Sequence, residues 1–485
     1  MSGPARFRFL SAEREASAAA DWNRPDWPKL WLYNLHYFDD LCATDAAARV
    51  AWHRALVSRW IAENPPAGGN GWEPYPLSLR LVNWIKWLAA GNAPEAGMVD
   101  SLAVQARWLM ARLEWHLLGN HLLANAKALV FAGTFFAGAE ADTWRQQGLA
   151  ILRREYAEQI LADGGHFERS PMYHAIILED LLDLIQLALR WPGVIDAGTV
   201  AGWRQTAERM LGWLSVMTHP DGEIAFFNDA AIGIAPNLTA LAAYASGLGI
   251  VAGGLKSALR SGYVRMERGD AVLLADVGEI GPDYLPGHAH ADTLSFELSV
   301  FGQRVVVNSG TSEYGLGAER LRQRGTAAHS TVQIDGADSS EVWSGFRVAR
   351  RARPLGMTLD GLDEEGGAVI LGCAHDGYAR LPGRPLHRRE WRLTSGGLRI
   401  IDRVEGGFGR AVARFHLHPA ITAHGEGVFG ELELSDGHRI RWSASGGAVR
   451  IVGSTWHPEF GQSVAGHCIE LELEGPHAVM EFAWA

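Results

Sequence analysis

Four short polar clusters carry residues able to do acid–base or charge-stabilising chemistry. The first is Gly119-Asn120-His121, set in an otherwise apolar stretch. A neutral amide beside an imidazole can hydrogen-bond a carboxylate and stabilise negative charge that builds on it. Buried without partners such a pair is costly, so it has either a structural or a chemical job. The second cluster runs His166-Phe167-Glu168-Arg169-Ser170-Pro171-Met172-Tyr173-His174. Pro171 suits a first helical turn with Ser170 as its cap, which puts Tyr173 and His174 at a helix N-terminus. The dipole there favours a phenolate and disfavours an imidazolium; the alternative is an aromatic turn that only anchors the helix. The third cluster, Gly287-His288-Ala289-His290-Ala291-Asp292, leads into the strand-like TLSFELSVF. Two histidines at i and i+2 of a strand share a face, which suits a metal or an imidazole base beside a ligand. A binuclear HxHxDH pattern is not completed, because Thr293 follows Asp292 and no second ligand block stands at a suitable spacing.

The fourth cluster holds Asn308, Thr311, Glu313 and Tyr314, followed by Arg320, Arg322, Arg324 and His329, then Arg347, Arg350, Arg351 and Arg353. In a chain of formal net charge −11 these arginines form a local cationic run. Guanidinium forks suit carboxylate or sulfate groups, and the competing account is a solvated, partly paired surface. Of 19 tryptophans, 14 precede residue 261; most are expected at helix interfaces, where large aromatics dominate burial. Trp72 and Tyr75, in the loop-like GGNGWEPYP, are the better candidates for lining a sugar-binding groove.

The elements that must position these groups fall into two kinds. From about residue 22 to about 250, LVNWIKWLAA, VQARWLMARLEWHLLGNHLLANAKALVFAGTFFAG and ILEDLLDLIQLALRW carry apolar residues at helical spacing. Short breakers such as NPPAGGNGWEP, ADGG and THPDGE separate them, which predicts antiparallel helical pairs. Beyond about 261, short alternating segments such as GYVRMERGDAVLLADVG, REWRLTSGGLRIIDRVEG and CIELELEG predict an antiparallel β-sandwich. Two domains are expected, a helical one over 1–258 and a β-sandwich over 259–485. The 485 residues are 47% hydrophobic and 20% charged, which excludes a disordered or fibrous chain. Cys42, Cys373 and Cys468 propose neither a disulfide framework nor a Cys-rich zinc site. The acidic balance argues against nucleic acid as a partner. Arg6, Arg8, Glu13, Arg14 and Glu15 break up the N-terminus, and no run of about 18 apolar residues follows. A cytoplasmic chain without a transmembrane segment is the expectation, or a periplasmic one if it is exported by another route.

Taken in order, NHLLANAKAL, ERSPMYH, GHAHADTLSFEL, NSGTSEYG with RGTAAHSTVQIDG, and HDGYARLPGRPLHRREW with a later RFHLHP resemble the heparinase II/III family of polysaccharide lyases, related to the alginate-lyase group. LWLYNLHYFDDL and WEPYPLSLRLVNWIKWL further resemble short members associated with bacterial exopolysaccharide production. The resemblance implies an α+β multidomain chain, an incomplete (α/α) toroid followed by an antiparallel β-sandwich, that cleaves a uronate-containing polysaccharide by β-elimination. In that chemistry Asn120 and His121 neutralise the carboxylate beside the C5 proton. Tyr173 is the acid, and also the base for a syn substrate, whereas His288 is the base in the anti case; Tyr314 is a second phenol. His174, Trp72, Tyr75, Arg324 and Arg347 are expected to bind substrate.

The family also implies a structural zinc held by two histidines and an aspartate. His290 and His329 match, but Asn308 stands where the aspartate would, and an amide is the poorer ligand. The zinc stays open, no organic cofactor is expected, and a homodimer is left open. Two other classes of function remain. One is a glycoside hydrolase using Glu168 and Asp229; the other is a non-catalytic binding protein for acidic exopolysaccharide.

Overall fold

A computed structural model describes residues 1–485 apart from 256, 258, 363 and 365, so the domain boundary expected at 258 falls outside the described residues. The chain divides into two compact units, residues 1–159 with 180–204, and residues 160–179 with 205–485.

The first unit opens with a hairpin that periodicity did not announce, β1 (Arg6–Phe9) and β2 (Ala12–Glu15). Helices follow: α1 (Lys29–Tyr37), α2 (Val50–Glu63), α3 (Pro74–Ala89), α4 (Met98–Met110), α5 (Gly119–Phe135) and α6 (Ala139–Gln159). The long apolar stretch read as continuous is broken between α4 and α5. The break covers residues 111–118 and closes on Leu118 (φ 58°) and the first residue of α5, Gly119 (φ 53°), a left-handed pair that no right-handed helix could run through. The break makes Asn120 and His121 first-turn residues of α5. Aromatic packing centres on Trp60, which meets Trp84 edge-on with ring centroids 5.5 Å apart and carries the Arg80 guanidinium 3.8 Å from its centroid. Buried Arg80 donates to Gln105 Oε1 and to the carbonyls of His36 and Gly71, so its charge is stacked and each of its three nitrogens has an acceptor.

Helices α7 (Pro171–Arg190) and α8 (Ala197–Val216) contribute residues to both units. In the second unit α9 (Leu238–Gly247) precedes the change to strands. One antiparallel sheet has the order β3 (Tyr263–Arg268), β4 (Ala271–Asp276), β5 (Phe296–Val300), β6 (Gln303–Val306). After the short helix α10 (Ala318–Arg324) come β7 (Val332–Ile334) and a two-stranded hairpin, β8 (Val342–Trp343) with β9 (Arg347–Val348). The remaining strands are β10 (Pro354–Asp360), β11 (Val369–His375), β12 (Leu386–Thr394), β13 (Gly397–Glu405), β14 (Ala411–His416), β15 (Thr422–Glu426), β16 (Phe429–Glu433), β17 (Arg439–Ser445), β18 (Gly447–Trp456), β19 (Val464–Leu473) and β20 (His477–Ala483). Among the described residues they form a sheet ordered β10-β11-β12-β13-β20-β17-β16-β15 and another ordered β18-β19-β14-β7. Alternation decides the faces: β12 buries His387, Arg389, Trp391 and Leu393 and exposes Arg388 and Arg392. Phe296, Trp391, Phe415 and Phe482 share the resulting core.

A polar chain crosses that core. Gly377 N–H donates to His375 Nδ1 at 3.1 Å, which leaves His375 Nε2–H to donate to His387 Nδ1 at 3.3 Å. His387 Nε2–H then donates to Asp402 at 2.7 Å, and Asp402 also takes Arg389 through two bonds of 2.7 and 2.8 Å. Burial would raise the Asp402 carboxyl, but the Arg389 charge and the donors from His387 and Arg389 bring it down to about 2. A carboxyl depressed in the folded state stabilises the fold above its unfolded pKa and loses that contribution as pH falls through the native value. Unfolding free energy should therefore drop by about 2 kcal/mol between about pH 5 and pH 2 on account of Asp402. Denaturant midpoints across that window should show it, and an Asp402→Asn/Arg389→Met protein should lose that share of the slope. An unchanged slope in the double variant would count against the assignment.

Candidate active site

The site in the second unit is built on a pinned turn. Ser170 caps α7 as its spacing implied, its Oγ accepting the Tyr173 N–H at 3.2 Å while its hydroxyl bonds the Asp229 main-chain carbonyl. Arg169, at φ 58°, turns its carbonyl toward the Tyr263 hydroxyl (2.6 Å) and Asn228 Nδ2 (3.0 Å). Tyr173 thereby sits in the first helical turn with its ring stacked on His288, centroids 3.9 Å apart. Its hydroxyl lies 3.0 Å from that of Tyr314.

Asp229 is the hub. His288 Nδ1–H donates to one oxygen at 2.9 Å and His290 Nε2–H to the other at 2.8 Å, while Arg320 engages both oxygens. His288 and His290 were expected on a strand. They lie instead in an irregular loop, because its backbone bonds elsewhere: His288 O accepts from Asp229 N–H, His290 N–H donates to Asn228 Oδ1, and Ala291 N–H to Arg324 O. The two imidazoles still converge on one carboxylate. Burial pushes that carboxyl up, but the Arg320 charge and the donors from His288, His290 and Arg320 hold it well below the usual carboxylate range. Fixing Nδ1–H of His288 leaves its Nε2 as the proton-accepting nitrogen, 4.0 Å from Glu168 Oε2. Burial, then the Asp229 charge, pushes the Tyr314 phenol well up, so it stays a neutral donor.

Asp229 and Arg320 are the residues that sequence reasoning undervalued, the first having been considered only as a hydrolase acid. The available signal was a lone carboxylate within the apolar AFFNDAAIGIA, which must be paired if buried.

Several expected substrate contacts are corrected. His174 is fully buried and spent on the Met210 carbonyl and the His166 N–H. Arg324 is buried and donates to the carbonyls of Ala289, Trp343, Ser344 and Arg347, so it clamps backbone. Trp72, in the first unit, is buried against Trp60 and Trp108 and donates to the Asn64 carbonyl. The cationic run is largely paired: Arg322 meets Glu319, Arg350 meets Glu341, and Arg351 and Arg353 share Asp283. Arg347 is exposed.

The zinc donors do not assemble. His290 Nδ1 faces His329 Nε2 at 3.3 Å, a separation that two imidazoles on one ion could also have, but a structural ion needs further donors. Asn308 donates to the Phe226 carbonyl and Ser295 Oγ and accepts from Ser330 N–H, so its amide is consumed. Asp292 accepts the Asn228 N–H. Among the described residues no group of three His, Cys, Asp or Glu stands ready to hold a metal. These residues do not fit the zinc that the resemblance implies.

In the first unit, Asn120 is buried and His121 is partly exposed at the start of α5. His121 Nδ1 meets Glu114 Oε1 at 3.1 Å, and its ring lies 4.5 Å from that of half-buried Tyr75. Glu114 is itself fixed by Asn125, whose amide donates to Glu114 Oε2 at 2.9 Å and to Ser78 Oγ at 3.1 Å. His121 thus has one nitrogen oriented by a carboxylate, as His288 has.

The helices and antiparallel sheets, with aligned phenols and imidazoles, define a class that comparison makes specific. A model described as heparinase II/III-like, C-terminal, matches residues 251–485, and one described as heparinase II/III N-terminus matches residues 56–245. The chain belongs to the heparinase II/III-like family. It is 30% identical over 369 residues to FtsZ-localized protein C of Caulobacter vibrioides, covering 72% of this chain and 60% of that protein. With a heparin-sulfate lyase of Bacteroides stercoris it shares 26% identity over 329 residues, covering 59% of this chain and 44% of the lyase. The chain therefore spans less than two thirds of the length of either relative. A crystal structure of heparinase III aligns with a TM-score of 0.74 at 16% identity, covering 98% of this chain and 79% of that one. The likeness shows the fold class, an incomplete (α/α) toroid followed by an antiparallel β-sandwich. Among the described residues no helix is long and apolar enough to cross a membrane.

Proposed function

We propose that this chain is a polysaccharide lyase that cleaves a uronate-containing acidic polysaccharide by β-elimination. The observation that carries this reading is the Tyr173–His288–Asp229 array, a phenol stacked on an imidazole whose far nitrogen is held by a buried carboxylate. Elimination removes the proton at C5 of the uronate and expels the sugar oxygen at C4. With Nδ1–H tied to Asp229, His288 Nε2 accepts the C5 proton in the anti case, while the Tyr173 hydroxyl protonates the departing oxygen. For a syn substrate Tyr173 does both: entering as the phenolate it takes the C5 proton and passes it to the departing oxygen, ending as the phenolate it began as, and the neutral Tyr314 hydroxyl, 3.0 Å away, stabilises that phenolate. Asn120 and His121 are assigned the neutralisation of the uronate carboxylate. Asn120→Ala is expected to lower turnover about 10²–10³-fold, as loss of one donor to a developing oxyanion does.

The hydrolase alternative is disfavoured by Asp229. Its side chain is enclosed, both oxygens are taken, and Arg320 keeps it ionised, so it can neither reach a sugar nor act as the acid. Relatives named heparin-sulfate lyase favour a lyase; the name FtsZ-localized protein C reports a location and weighs on neither reading. The link to exopolysaccharide production remains part of the proposal.

The test is a panel of heparin, heparan sulfate and alginate scanned for the ultraviolet band of an unsaturated uronate, with and without chelator. A rising band that survives the chelator is expected. Reducing ends released without that band would replace the lyase by a hydrolase, and affinity without any product would leave a binding protein.

A further inference from the structure

The hairpin of β8 and β9 plays no part in the array above, yet it is held with unusual care. Val342 pairs across it with Val348, and Trp343 with Arg347. Val342 and Val348 pack toward Ile280 and Ala289. Alternation turns the next pair the other way, and Trp343 is 55% exposed while Arg347 is exposed beside it. A half-exposed indole and an exposed arginine at directly opposed positions, with Cβ atoms about 5 Å apart, offer an apolar plate and a cationic fork on one face of the hairpin.

The backbone under that pair is fixed from below. Arg324 donates to the carbonyls of Trp343, Ser344 and Arg347, and Arg320 Nε to that of Gly345 at 3.1 Å. Gly345 is pressed so closely on the Gly315 carbonyl that a Cβ would come within 2.5 Å of it. Phe346, from the same turn, lies edge-on to both His288 (6.0 Å) and Tyr314 (5.2 Å). The exposed pair is thus carried on a rigid turn that abuts the imidazole and the second phenol.

We propose that Trp343 and Arg347 form an acidic-sugar subsite, the indole stacking on a pyranose face and the guanidinium taking the carboxylate or sulfate of that same residue. Resting on the lyase reading, the proposal adds where a sugar next to the reacting bond is gripped. A preformed turn loses little freedom when it binds, so the pair contributes mainly to affinity. Arg347, a point of charge at the surface, sets the preference for anionic polymer; Trp343 contributes for any sugar.

The experiment measures KM and kcat for Trp343→Ala and Arg347→Ala on heparin and on alginate. It also measures direct affinity for both polymers in a Tyr173→Phe background, where turnover is suppressed. Each substitution should raise KM and weaken affinity about fivefold to tenfold, with kcat little changed. The Arg347→Ala effect should vanish near 1 M salt, where screening acts within about 3 Å, whereas the Trp343→Ala effect should persist. Trp343→Phe should restore most of the lost affinity, and melting temperatures should not move. KM and affinity unchanged in both alanine variants would overturn the subsite, as would a parent protein that binds neither polymer. If binding is weakened as expected but no polymer yields the unsaturated band, the subsite stands and the lyase reading alone fails.

Discussion

Tyr173→Phe should reduce formation of unsaturated uronate by about 10²–10⁴-fold, the usual contribution of a positioned acid–base group. The substitution removes one oxygen and leaves the ring stacked on His288, so the imidazole, its bond to Asp229 and the cap of α7 keep their places. What disappears is the hydroxyl proposed to protonate the departing sugar oxygen, together with the partner of the Tyr314 hydroxyl. Saturating progress curves should show the loss in kcat, with KM held and the melting temperature within a degree or two of the parent. His288→Ala separates the two stereochemical cases. On an anti substrate it should be about as damaging as the phenol deletion, while on a syn substrate Tyr173 still carries both transfers and a larger share of activity survives. Activity within tenfold of the parent in both variants would remove the array from the chemistry.

Asp229→Ala is the second large effect, and it acts on stability and turnover together. Arg320 would be left buried without its counter-charge, and breaking such a pair costs about 3–5 kcal/mol, a large part of a typical folding free energy. A fall in the denaturant midpoint should report this. Pairing the change with Arg320→Met, which removes the stranded charge, should recover much of the stability. It should recover none of the turnover, because His288 still lacks the acceptor that fixes its Nδ1–H. A double variant with restored activity would show that Asp229 serves folding alone. The pH dependence has a definite sign. Because the native Asp229 carboxyl lies well below the ordinary range, its contribution to stability is present above the unfolded carboxylate pKa and disappears on the acid side of it.

Tyr173, His288 and Tyr314, from three of the polar clusters, converge in the structure, and the reason is local. A Ser-Pro pair ahead of an apolar run specifies a capped helix start, which placed Tyr173 in a first turn. The switch from helical to alternating periodicity placed the strands. Enclosure was not legible, because it is decided by partners far along the chain. Arg324 looks like a surface cation until carbonyls from Ala289, 35 residues earlier, and from Trp343 to Arg347 surround it. Trp72 sits in a Gly-rich segment that reads as a loop, yet Trp60 and Trp108 close over it. Asn308 drew attention as a ligand position, and only the fold shows its amide tied to Phe226, Ser295 and Ser330. The break before α5 rests on two left-handed residues that hydrophobic periodicity does not register.

Arg320 holds the Asp229 carboxylate with its terminal nitrogens and the Gly345 carbonyl with Nε. One planar group therefore ties the turn of the proposed subsite mechanically to the carboxylate that orients His288. An engineer who grafts a different turn between residues 343 and 347 to change polymer preference would also disturb the orientation of the imidazole, so selectivity and speed in this scaffold are expected to shift as a linked pair.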